Sequence, residues 1–261
     1  MAAREQTDIV YGEAAGEKLL LDTHVPEGDG PFPVVILVHG GGWGSGSKDG
    51  DTALLAETLA DAGFVCFSIN YRLAPKHRWP ACLEDVRTAV RWVKAHAADH
   101  RGDPGKIALA GYSAGGHLAC MAAVTGGPDE RVQAVVAFAA PTDLLADTER
   151  RGGLSTSLQA LLDRPEAVDA AVEKTLRGIS PINHLKPGLP TFLLIHGTTD
   201  QSVPHVQSVN FQAKLSENDV ACELVTIEGA PHRIAEWKNF DATYQERMTG
   251  WLEAKLAVGS Q

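Results

Sequence analysis

Cysteine is scarce in this chain: Cys66, Cys82, Cys120 and Cys222 are all there is in 261 residues. No pair has C-x-x-C spacing, and three of the four fall in apolar segments that read as core. The pattern is that of buried free thiols and suits a reducing cytoplasm. Positive charge is also in deficit, with 23 Lys and Arg against 33 Asp and Glu and a formal net charge of -10. No basic run is visible, which argues against a nucleic-acid partner and against attraction to an anionic membrane. Long apolar runs are missing as well. None approaches the roughly 20 residues that span a bilayer, and Met1 to Asp8 contains no apolar stretch of the leader type. The expected location is therefore the cytoplasm. Two loop spellings are absent: no frame gives G-x-x-x-x-G-K-[ST], and none gives G-x-G-x-x-G. His96 and His100 stand four apart, but no H-E-x-x-H surrounds them, and a solvated helix end is the plainer reading. No metal and no cofactor is expected.

What is present is ordinary in bulk and specific in detail. Hydrophobic residues make up 44% and charged residues 21%, the balance of a globular protein with a sizeable core. The length suits a single domain over residues 1–261. The stretch around which the rest is arranged is Gly111-Tyr112-Ser113-Ala114-Gly115-Gly116-His117. An apolar run ending at Ala110 reads as a buried strand before it, and 118–124 reads as a tightly packed helix after it. G-x-S-x-G between strand and helix is the nucleophile elbow, in which a sharp turn lifts a serine clear of a sheet. A turn made of Gly and Ser for its own sake would need no such flanks.

In chain order, 8–13 and 18–26 read as two strands with a turn at Gly16, forming an antiparallel edge. Val34 to Val38 is a continuous apolar run, typical of a strand buried on both faces, and it ends in His39-Gly40-Gly41-Gly42-Trp43. A helix is expected over 51–62, a strand over 64–70, and a long amphipathic helix over 81–100 with Val86, Ala89, Val90 and Val93 on its apolar face. Strands follow at 132–139, 191–196 and 221–227, with helices at 205–218 and 240–256. Strict alternation of strand and helix builds a mostly parallel sheet, here of eight strands, with helices on both faces. Residues 144–187 are polar, partly helical and less periodic. They are expected to form a small insertion that caps the active-site end of the sheet.

A serine hydroxyl needs a general base, an orienting carboxylate and donors for the developing oxyanion. On an elbow fold these follow in the order Ser, acid, His, each just past a strand. Ser113, Asp200 and His232 fit that order. Asp143, also just past a strand, is the competing acid, and Asp200 could instead be a helix cap. His196 and His205 compete with His232, but only His232 lies in the loop after the final strand. Consecutive glycines let backbone amides approach a ligand, so Gly41, Gly42 and Ala114 are the expected oxyanion donors. Such a donor is worth about 3 kcal/mol in the transition state. Trp43, Tyr112, Leu144, Leu145 and Trp237 are expected around an acyl or alcohol pocket, or else as packing.

Four motifs carry a resemblance: His39-Gly40-Gly41-Gly42-Trp43, Tyr71-Arg72-Leu73-Ala74-Pro75, Gly111-Tyr112-Ser113-Ala114-Gly115-Gly116, and Asp200 with Val203-Pro204. In this order they resemble the hormone-sensitive-lipase-like esterases of the α/β-hydrolase superfamily, over about residues 8–256. The long N-terminal helical cap of many such esterases is missing. Gly197-Thr198-Thr199-Asp200-Gln201-Ser202-Val203-Pro204 and Ala230-Pro231-His232-Arg233 are closer to the compact acetyl esterases, including those acting on acetyl or feruloyl esters of xylan. The resemblance implies an α/β-hydrolase fold and an acyl-enzyme mechanism on short-chain esters. The substrate would be a small-molecule ester or an acylated oligosaccharide. An arylformamidase or other amidase or peptidase on the same triad is the alternative enzyme. A ligand-binding protein without catalysis is the alternative of another class.

Overall fold

The computed structural model describes residues 4–257. The first three residues of the stretch read for a leader lie outside the described residues. Eight strands form one sheet in the order β1-β2-β4-β3-β5-β6-β7-β8. They are β1 (Arg4–Ala14), β2 (Glu17–Val25), β3 (Phe32–Val38), β4 (Val65–Ile69), β5 (Gly102–Tyr112), β6 (Ala134–Phe138), β7 (Thr191–Gly197) and β8 (Cys222–Ile227). β1 and β2 form an antiparallel hairpin, and β2 runs antiparallel to β4. Every other pairing is parallel. The expected sheet, edge and strand number are all present.

The apolar runs explain the layering. Side chains alternate across a strand, so a run buried on both faces must feed two cores. Val34, Ile36 and Val38 of β3, with Ile107 and Leu109 of β5, point into one. Val35 and Leu37, with Ala108 and Ala110, point into the other. The first core is covered by α2 (Ala81–His96), α3 (Ala114–Thr125) and α7 (Val206–Glu217), the second by α1 (Ala53–Asp61) and α8 (Tyr244–Ala257). Fully burying each large apolar side chain contributes about 1.5–3 kcal/mol. Two helices are shorter than their periodicity predicts. α2 stops at His96 and continues as a 3-10 turn, in which His100 packs edge-on against Phe67. The last helix starts at Tyr244, because 234–239 winds as a 3-10 turn around buried Trp237.

Residues 144–187 hold three short helices, α4 (Leu144–Arg151), α5 (Thr156–Leu162) and α6 (Ala170–Gly178). Each begins with a capping side chain: Asp143, Ser155 and Asp169 accept from the amides of Ala146, Leu158 and Val172. Their apolar side chains, among them Leu145, Leu158, Leu161 and Leu176, join the first core. The chain reverses across the sheet at β3, since β4 lies on one side of it and β5 on the other. Crevices for ligands open at such a reversal, beyond the carboxyl ends of the strands. Among the described residues no helix is long and apolar enough to cross a membrane.

Two histidines sit inside this packing. His39 stacks on Tyr71 at 4.2 Å and is 1% exposed, and His117 is fully buried in α3. Burial lowers both from the ordinary 6.5 to about 4. Between these values the unfolded chain binds protons that the native chain refuses. The stability that neutral His39 and His117 contribute is therefore complete above pH 6.5 and is lost as pH falls toward 4, by about 3 kcal/mol for each. Urea unfolding of His117→Gln should show a slope of stability against pH that is smaller than the parent's by about one proton's worth between pH 6.5 and 4.5. Equal slopes would remove His117 from this account.

Candidate active site

β3 and β5 are neighbours, and Val38 pairs with Gly111, so the loops that leave them meet. Ser113 follows β5 with φ 52° and ψ -118°, a left-handed backbone that a serine adopts only under tertiary constraint. The constraint is the approach of α3 to β3. A Cβ on Gly115 would lie 2.1 Å from the Val38 carbonyl oxygen and 2.4 Å from that of His39. The Ser113 amide donates to the Phe138 carbonyl oxygen at 2.8 Å, which ties the elbow to β6.

Three elements bring three side chains into a row. The Ser113 hydroxyl donates to His232 Nε2 at 3.0 Å, and His232 Nδ1 donates to Asp200 Oδ2 at 2.6 Å. Asp200 lies after β7 and is 4% exposed. Its Oδ1 accepts from the amides of Ser202 and Val203 at 2.8 and 2.9 Å, and its Oδ2 also lies 3.2 Å from His196 Nε2. Burial opposes the charge on Asp200, but the bonds from His196, His232 and the Val203 amide outweigh it. They hold the carboxyl well below its ordinary range. Such a row can take a proton from the serine and keep the resulting imidazolium beside a fixed negative charge. Asp143, the competing acid, caps α4 instead. Of the competing histidines, His196 is buried behind Asp200, and His205 bonds Thr226 Oγ1.

The loop after β3 packs against the elbow. Gly41 has φ 112° and lies so close to the Ser45 carbonyl that only glycine fits. Its own carbonyl accepts from the amides of Gly44 and Ser45. Gly42 and Ala114 line a cleft of about 390 Å³ with Ser113 and His232, and Gly41 forms the bend of the loop next to Gly42. Ala114 is the first residue of α3, so its amide has no partner within the helix. Tyr71 and Ala74 hold this loop in place. The Tyr71 hydroxyl donates to the His39 carbonyl at 3.1 Å, and the Ala74 amide to that of Trp43 at 2.9 Å. The Arg72 guanidinium grips Asp85 of α2 through Nε and Nη2, at 2.9 and 2.7 Å.

Trp43 and Leu144 line the cleft. Tyr112, Trp237 and Leu145 do not. Tyr112 and Trp237 belong to the core under α1 and α8, on the other face of the sheet. From there they grip the histidine loop: the Tyr112 hydroxyl donates to the His232 carbonyl at 2.9 Å, and Trp237 Nε1 to that of Pro231 at 2.7 Å. Leu145 is buried in the first core.

Other cleft residues come from the insertion and escape the sequence reading. Asp147 pairs with Arg150 at 2.8 Å and Arg151 at 2.7 Å, while Thr156 and Ser157 present hydroxyls from α5. The sequence shows only that this segment is polar and partly helical; the caps Asp143 and Ser155 that start α4 and α5 emerge with the structure. His117 is a further surprise. It accepts from Trp43 Nε1 at 3.2 Å and donates from Nε2 to the Ile179 carbonyl at 2.7 Å, so one ring joins loop, elbow helix and insertion.

Residues 21–215 match the BD-FAE family. The chain belongs to that family. It has the α/β-hydrolase fold, and its relatives are named as esterases. LipM of Mycobacterium tuberculosis (strain ATCC 25618 / H37Rv), a probable carboxylic ester hydrolase, is 35% identical over 224 residues, which are 80% of this chain and 51% of LipM. This BD-FAE chain thus spans about half the length of the curated relatives it matches. Thermogutta terrifontis esterase 2 is 27% identical with a TM-score of 0.75, the match covering 97% of this chain and 92% of that one. A truncated carbohydrate esterase from gut microbiota shares the fold at a TM-score of 0.83 and 24% identity, over 98% of this chain and 97% of the other.

The contact of Gly115 with β3 yields a sharp test. Gly115→Ala places a methyl group against two backbone carbonyls, that of Val38 at the end of β3 and that of His39 at the root of the glycine loop, so the helix or the strand end must shift. A loss of more than about 4 kcal/mol is expected, seen as insoluble protein or a broad, early melt. A melting temperature within a degree of the parent's would refute the close approach.

Proposed function

We propose that this chain is a serine carboxylic-ester hydrolase of short-chain acyl esters, with acetyl or feruloyl groups on carbohydrates such as xylan as the substrate class. The observation that carries the reading is the Ser113–His232–Asp200 row at 3.0 and 2.6 Å, opening on a cleft beside Gly42 and Ala114. In this reading Ser113 Oγ attacks the ester carbonyl while His232 Nε2 takes its proton. The carbonyl oxygen becomes negative and is met by amides of the glycine loop and Ala114, where Gly41 and Gly42 are the candidate donors. His232 returns the proton to the departing alcohol and leaves an acyl-serine. Water then attacks, gives its proton to His232, and releases the acid with Ser113 restored.

The lining supports a small acyl group and a hydroxyl-rich alcohol. Trp43 and Leu144 give apolar walls, and Thr156, Ser157 and Gln201 supply hydroxyl and amide groups. We extend the reading to the chain as one cytoplasmic domain in which 144–187 acts as the cap. No observation favours the amidase reading. The intact row of three groups speaks against a receptor that has lost its chemistry.

Hydrolysis of p-nitrophenyl esters from acetate to decanoate, beside acetate release from acetylated xylo-oligosaccharide, tests the proposal. Preference for acetate with release from the sugar is expected. Ser113→Ala should lower the rate by about 10⁴-fold or more with its melting temperature kept, and full activity in that variant would end the assignment. Activity on long chains without sugar deacetylation would replace the carbohydrate substrate by a general ester. Tyr112→Phe keeps the ring but frees the His232 carbonyl. A fall in kcat of about ten-fold at constant KM is expected, the worth of one hydrogen bond, and an unchanged kcat would reduce Tyr112 to core packing.

A further inference from the structure

Asp200 is shared by two imidazoles, and only one of them touches Ser113. His196 closes β7 and is fully buried, with its ring edge-on to that of His205 at 5.5 Å between centroids. Its Nε2 lies 2.9 Å from the Val203 carbonyl oxygen and 3.2 Å from Asp200 Oδ2. A carbonyl can only accept, so Nε2 carries the proton. Nδ1 then accepts from the Ser208 hydroxyl of α7, at 2.7 Å. The outcome is a line of bonds running from α7 through His196 to the carboxylate that orients His232.

We propose that His196 is a positioning residue for Asp200, acting as a second imidazole on the carboxylate from the side remote from Ser113. This rests on the ester-hydrolase reading above. The geometry shows what His196 supplies. The Val203 carbonyl and Asp200 Oδ2 are both acceptors, and both lie within reach of the same N–H. Without that N–H between them they would face each other unscreened in a buried place, where such repulsion is costly. With it, Oδ2 holds two donors and Oδ1 the amides of Ser202 and Val203. The carboxylate has no free rotation left, and Oδ2 is presented to His232 Nδ1 in one orientation. Ser208 fixes the tautomer: while its hydroxyl donates to Nδ1, the His196 proton must face Asp200.

The test is a set of kcat and KM measurements on p-nitrophenyl acetate. His196→Leu removes the donor, and His196→Gln keeps an amide N–H near the Nε2 position. Ser208→Ala is a small change that releases the tautomer and stands in should the leucine variant not fold. Each is made in the parent and in Asp200→Asn. His196→Leu is expected to lower kcat about ten- to hundred-fold, the worth of one hydrogen bond to a charge, with KM unchanged. His196→Gln should recover most of that loss, and Ser208→Ala should cost a few-fold. None of the three should lower kcat further once Asp200 is asparagine, because groups that act through one another are not additive. The same loss in both backgrounds, or a folded His196→Leu or Ser208→Ala with the parent's kcat, overturns the proposal.

Proton NMR reads the pair without turnover. The low-field Nδ1–H resonance of His232 should shift in His196→Leu and Ser208→Ala, and an unmoved resonance also overturns the proposal. A parent that hydrolyses no ester would instead overturn the reading beneath, while the resonance would still report on His196.

Discussion

The approach of α3 to the end of β3 is the contact on which the site depends. Gly115 lies where any side chain would strike the carbonyls of Val38 and His39. That contact sets the turn at Ser113, starts the helix whose first amide belongs to Ala114, and brings the glycine loop after β3 against the elbow. The backbone strain at Ser113, with φ 52°, is sustained because the bonds on either side leave it no alternative. The chemistry of the site and the packing of the sheet are fixed by one juxtaposition of two neighbouring parallel strands.

The rest of the site is held from both faces. Beneath, Tyr112 and Trp237 rise from the core under α1 and α8 to grip the carbonyls of His232 and Pro231. On the other face, Arg72 clamps Asp85, and Tyr71 holds the carbonyl at the root of the glycine loop. Asp200 lies between, its charge favoured by donors on both oxygens despite its burial. Preorganisation of this kind places the cost of ordering in folding, so that it is not met again at each turnover.

Much of this was legible in the sequence because strands buried on both faces and loops with no room for Cβ each admit few residue types. The eight strands, the order of Ser113, Asp200 and His232, and the antiparallel edge all follow from such restrictions. An aromatic residue near a catalytic motif suits a pocket wall or core packing alike, so the motif alone leaves Tyr112 and Trp237 open between the two; both lie in the core. The strand parity held the answer, since Tyr112 shares its face with Ala108 and Ala110, away from the cleft. The choice between Asp200 and Asp143 turns on a helix cap, which both residues could have supplied. The cleft residues of the insertion other than Leu144 were hidden for another reason. α4, α5 and α6 have seven to nine residues each, too few for periodicity to declare a face, and their positions are set by packing on distant parts of the chain.

The buried ring of His117 has a meaning for how this scaffold can be altered. It joins Trp43 of the glycine loop to the backbone of Ile179, at the end of α6 in the insertion. The contact on the insertion side is a carbonyl, indifferent to the side chain that bears it. This contact therefore restricts the path of 144–187 rather than its side chains, several of which are held separately by the first core. A segment grafted from another protein would have to bring a carbonyl oxygen to the same point in space. Otherwise His117 keeps a buried N–H without a partner, and Trp43 loses the ring that steadies it. The lining of the cleft is therefore open to redesign by changing cleft-facing residues of the existing insertion, and resistant to redesign by replacing the insertion outright.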